Sequence, residues 1–168
     1  MGTRNLTKVV DANGVTKVAQ YGQWDGYPAG QGAQALYHAH NAKMIEAGLA
    51  RVRWAEQDEL DAIYASLPDM NYLGTADSDK FSLMYPNLTR NTCADILGVV
   101  AYSVGEVILV DNSDFEQDEL FCEGVYEINF QTKEFISTYG GVTVKFNLDS
   151  LPTREIYLES FEKALTNA

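Results

Sequence analysis

The residues best suited to chemistry lie in one short segment, Tyr21-Gly22-Gln23-Trp24-Asp25-Gly26-Tyr27-Pro28-Ala29-Gly30-Gln31-Gly32. A plain connector favours small polar residues, whereas this one carries three aromatic rings, two amides and a carboxylate. Tyr21, Trp24 and Tyr27 can stack on a purine or another flat ring and keep their polar tips available. Gln23, Asp25 and Gln31 can read base edges or ribose hydroxyls, and glycines let a ligand approach the backbone. The Gly30-Gln31-Gly32 turn, at the start of a helix, offers N–H groups to an anion such as phosphate. Thr3, Arg4 and Asn5 form a second candidate set, with Arg4 as a phosphate partner. The competing reading makes the segment scaffold, with Trp24 plugging the core and Asp25 capping. If the chain is an enzyme, Asp25 is the best general base, Arg4 the charge stabiliser, and Thr3 or Tyr21 a hydroxyl participant.

Other chemistry is thinly represented. The sequence has no phosphate-binding G-x-x-x-x-G-K-[ST], no G-x-S-x-G, no H-E-x-x-H and no C-x-x-C. His38 and His40 are two apart on a predicted helix, so their side chains diverge by about 200° and do not form an i,i+4 metal pair. Asp77-Ser78-Asp79 lacks the rest of a calcium loop and reads as a helix cap. Glu116, Asp118 and Glu119 fall on an acidic connector. Cys93 and Cys122 read as reduced, buried thiols. No metal or cofactor is expected.

Positioning these residues requires a framework, and the pattern supplies one. Two alternating stretches, 6–11 and 15–21, flank Ala12-Asn13-Gly14 and read as a β-hairpin. Residues 33–47 read as a helix with Leu36, His40, Met44 and Ala47 on one stripe, stopped at Gly48. A second helix spans 56–66 with Leu60, Ile63 and Tyr64 inward, ended by Leu67-Pro68. A short one lies near 79–84, and a buried one runs over 93–102. Strands follow at 106–110, 122–130, 134–139 and 142–146. The last helix follows Pro152, with Ile156, Leu158, Phe161 and Leu165 inward. This order describes a single α+β domain over 1–168: an antiparallel sheet joining the N-terminal hairpin to the C-terminal strands, packed by helices. It also suits the layering of an N-terminal-nucleophile hydrolase, although removal of Met1 would expose Gly2, which offers no nucleophile.

Charge narrows the partners. The 168 residues carry 12 basic and 24 acidic side chains, a net charge of −12, which excludes a general binder of long nucleic acid. Residues 1–53 hold six of the basic groups against three acidic ones, so a small anion could be received there. No stretch is apolar enough to span a membrane, and no targeting signal is read, so a cytoplasmic location is expected.

The opening Gly2-Thr3-Arg4-Asn5-Leu6-Thr7, with Val18-Ala19-Gln20-Tyr21-Gly22-Gln23-Trp24-Asp25-Gly26-Tyr27-Pro28 and Gly30-Gln31-Gly32, resembles a family of small bacteriophage and prophage proteins with relatives in fungi. The likeness covers about the first 32 residues, with a weaker echo over 122–139. It implies a counter-defence role in the host cytoplasm: a homo-oligomer sequestering a small nucleotide-derived immune signal, such as a cyclic dinucleotide or an ADP-ribose derivative. The alternatives are an enzyme that cleaves such a signal, a small amidohydrolase-like enzyme, and a structural or interaction module.

Overall fold

The computed structural model describes the backbone of residues 2–66 and 75–168 and the side chains of 2–66 and 80–168. Strands β1 (Asn5–Val10) and β2 (Thr16–Gly22) form the hairpin. Its turn is closed by the Asp11 carboxylate, which accepts the N–H groups of Asn13 and Val15 at 2.9 Å. Gly14 takes the positive φ, +81°, that such a turn demands. Helices α1 (Ala33–Ala39) and α2 (Ala42–Gly48) come next, then β3 (Val52–Trp54), α3 (Gln57–Ala65), α4 (Thr75–Met84) and α5 (Ile96–Tyr102). The chain closes with β4 (Val107–Leu109), the meander β5 (Gly124–Asn129), β6 (Glu134–Tyr139) and β7 (Val142–Asn147), and helix α6 (Arg154–Thr166).

The large sheet has the order β2-β1-β5-β6-β7, so the hairpin and the C-terminal meander share one sheet, as the alternation predicts. Their junction is parallel: Asn5 lies opposite Gly124 and Val9 opposite Ile128. A parallel pair needs a long crossover, and the helices between β2 and β5 provide it. One face carries the cross-strand row Val18, Val9, Ile128, Phe135 and Phe146. Leu36 of α1, Ile96, Leu97 and Val100 of α5, and Tyr157 and Phe161 of α6 close over that face in the main core. The other face is part-covered where the Phe115 and Tyr21 rings meet in a T-shaped pair, 4.8 Å between centroids.

Five sequence expectations change. The helix over 33–47 breaks at His40 and Asn41 into α1 and α2, which turns Ala35, Leu36, Ala39 and Ile45 inward and leaves His40, Met44 and Ala47 exposed. In α6 Phe161 is buried and Leu158 packs on the core as expected, but Tyr157, an i,i+4 partner of Phe161, takes the inward place expected of Ile156, and Ile156 and Leu165 are exposed. Tyr64 of α3 is also exposed. The strand over 106–110 shortens to β4 and pairs in parallel with β3, in a separate two-stranded sheet. With a second sheet that small among the described residues, the layering of an N-terminal-nucleophile hydrolase is not formed. The end of α3 at Leu67-Pro68 lies outside the described residues, as do the side chains of Asp77 and Asp79. Among the described residues, no helix is long and apolar enough to cross a membrane.

Candidate functional site

The segment after β2 is built on Asn5. Fully buried at the start of β1, its amide donates to the carbonyls of Gly22 (3.4 Å) and Trp24 (3.2 Å) and so folds the chain back over the strand end. Gly26 N–H donates to the Thr3 carbonyl at 2.9 Å, and the Tyr126 hydroxyl donates to the Gly26 carbonyl at 2.5 Å. Gln31 is also structural, its side-chain oxygen accepting the Ala94 N–H at 3.0 Å. The N–H groups of Gly30 and Gly32 go to the Tyr27 carbonyl and that of Gln31 to the Asp25 carbonyl. The expected anion nest is therefore closed by the loop's own backbone. The glycines serve close packing too: a Cβ on Gly32 would lie 2.7 Å from the buried Tyr126 ring and against the Tyr157 hydroxyl.

What this scaffold presents outward is Trp24, Asp25 and Tyr27. Trp24 is 45% exposed, so it does not plug the core. Its indole N–H donates to the Asn91 side-chain oxygen at 2.9 Å, which fixes the ring's orientation. Asp25 holds a left-handed φ of +54°, a conformation that side chains other than glycine adopt at a cost. Its carboxylate caps no helix; it is exposed and accepts the Tyr27 hydroxyl at 3.4 Å. The remaining candidates are engaged with other partners. Tyr21 donates its hydroxyl to Gln23 at 2.6 Å, and the Gln23 N–H is held by the Arg90 carbonyl. The Arg4 guanidinium lies over the Phe121 ring, 4.7 Å from its centroid, on the face of β1 opposite the Asn5 side chain.

Sequence reasoning missed a polar cluster next to this face. Asp95 accepts from Gln34 Nε2 at 2.7 Å and contacts His38 Nε2 at 2.8 Å. The His38 contact, followed by the Gln34 bond, holds the Asp95 carboxyl below its ordinary value against the opposing effect of burial. Gln31 links the two groups by bonding to Ala94, the residue before Asp95. The i,i+4 spacing of Gln34 and His38 was legible; the arrival of Asp95, 57 residues beyond His38, was not. Cys93 and Cys122 are free thiols, and burial raises both, Cys122 to about 11. Among the described residues, no group of three or more His, Cys, Asp or Glu side chains is placed to hold a metal ion.

Comparison of the chain with protein-family models, curated proteins and solved structures finds no significant match.

Proposed function

We propose that this chain binds and sequesters a small nucleotide-derived immune signal, as a phage-type counter-defence protein acting in the host cytoplasm as a homo-oligomer. The observation that supports binding is the Trp24 ring, exposed yet held in place through Asn91 and flanked by Asp25 and Tyr27. An indole fixed before the ligand arrives loses little freedom when a flat ring stacks on it. The Asp25 carboxylate and the Tyr27 hydroxyl supply an acceptor and a polar group for ring N–H or ribose O–H groups. The identity of the ligand class rests on the resemblance of residues 2–32 to phage proteins and on the aromatic and polar character of this face. Incubating the purified chain with cyclic dinucleotides and ADP-ribose tests it. Intact nucleotide released on heating supports sequestration, and an empty protein points to an interaction module.

A cleaving enzyme is the second reading, and the His38–Asp95 pair favours it. A carboxylate that orients an imidazole is a general-base arrangement, and it would replace Asp25 and Arg4 in that role. New products in the same incubation, lost in His38→Ala, would establish it.

A further inference from the structure

We propose that a second cleft, formed where α1 and α2 part, binds a small zwitterion with an apolar side chain, of the α-amino-acid or dipeptide class. The cleft encloses about 340 Å³, within the range of small-ligand sites. Ala39, Phe130 and Leu148 contribute apolar lining. Two basic residues, Lys43 and Lys133, and two acidic ones, Glu46 and Asp149, also line it. Among the described residues, none of these four charges has an ion-pair partner within 4.0 Å. Charges of both signs around an apolar surface match a ligand that carries a carboxylate, an ammonium and an apolar body. A simple anion would leave the two carboxylates opposed to it.

Two departures from local preference help build this place. Residues 33–48 contain neither proline nor internal glycine, yet the helix breaks at Asn41, whose φ of −111° and ψ of 37° end α1 and let the next turn swing away. The Asn41 amide is fastened to the Tyr102 hydroxyl at 2.7 Å. In the β5–β6 turn, Lys133 occupies a left-handed φ of +59°, where glycine would be the unstrained choice. The lysine kept in that position lines the cleft, and the Leu148 N–H bonded to the Lys133 carbonyl at 2.9 Å holds the two walls together.

Lys133→Gly separates ligand binding from folding, because it relieves the backbone while removing the charge. Calorimetric titration with phenylalanine, phenylacetate and phenethylamine tests the inference on the full chain. We expect phenylalanine to bind the parent at least 10-fold more tightly than either singly charged probe. In Lys133→Gly we expect its affinity to fall at least 10-fold with an unchanged or raised melting temperature. Equal affinity for phenylacetate, undiminished binding by Lys133→Gly, or no binding of phenylalanine to the parent at millimolar concentration would each overturn it. None of these residues belongs to the Trp24 face, so the two proposals fail separately.

Discussion

Trp24 leaves nearly half of its surface in water, and this decides what its removal does. Truncating a fully buried Trp costs about 3–5 kcal/mol, whereas an aromatic platform contributes about 1–3 kcal/mol to a stacked base. Trp24→Ala is expected to stay folded in a thermal melt and to lose nucleotide in a titration. The Arg4 guanidinium is engaged with Phe121, so Arg4→Ala is expected to alter nucleotide affinity by less than about 3-fold, within the range of a surface substitution. Asp95 carries a pH signature. Its carboxyl is held below its ordinary value of 3.8 by His38 and then Gln34, so its contribution to stability is complete above that value. That contribution is lost as pH falls through the lower folded value. Melting temperatures recorded from pH 2 to 6 should therefore fall less steeply on acidification in Asp95→Asn than in the parent. At this scale the sequence showed which side chains were unusual but not which way they faced. Asn5 and Gln31, candidates for a ligand, bond to the loop and to Ala94 instead, because the chain's own polar backbone must be satisfied before any ligand is.

Among the elements, the hairpin and the meander were legible because alternation and turn chemistry are local. Asn13-Gly14 sets the first turn, and the apolar face of each strand follows from it. The break between α1 and α2 was not legible, because no residue in 33–48 forces it and tertiary packing against α5 prevails over helix propensity. In α6 the inward place of Phe161 was legible and that of Tyr157 was not: Tyr157 is polar at its tip, yet its ring is buried and its hydroxyl bonds to Ser137 at 2.6 Å. The glycine spacing after Tyr27 looked like room for a ligand; Gly30 proved to be room for the Asp25 backbone, and Gly32 room for Tyr126 and Tyr157. Gly32→Ala should accordingly destabilise the fold by about 1–3 kcal/mol, the usual cost of overpacking, as a lowered midpoint in denaturant unfolding.

For the whole molecule, the α+β class and the union of the two terminal regions in one sheet followed from the order of the elements. The parallel junction of β1 and β5 did not, since it depends on how the long connection crosses over. That junction ties β1 to the C-terminal meander, and the Asn5 amide at its end holds the segment that presents Trp24, Asp25 and Tyr27. By the proposed function, this face binds a nucleotide by stacking. The most direct measurement is a calorimetric titration of parent and Trp24→Ala with a cyclic dinucleotide and with ADP-ribose, beside a melting curve for each protein. The parent is expected to bind at least one of them, and folded Trp24→Ala to bind it at least 10-fold more weakly. A parent that binds neither, or a variant that keeps the parent's affinity, would contradict it.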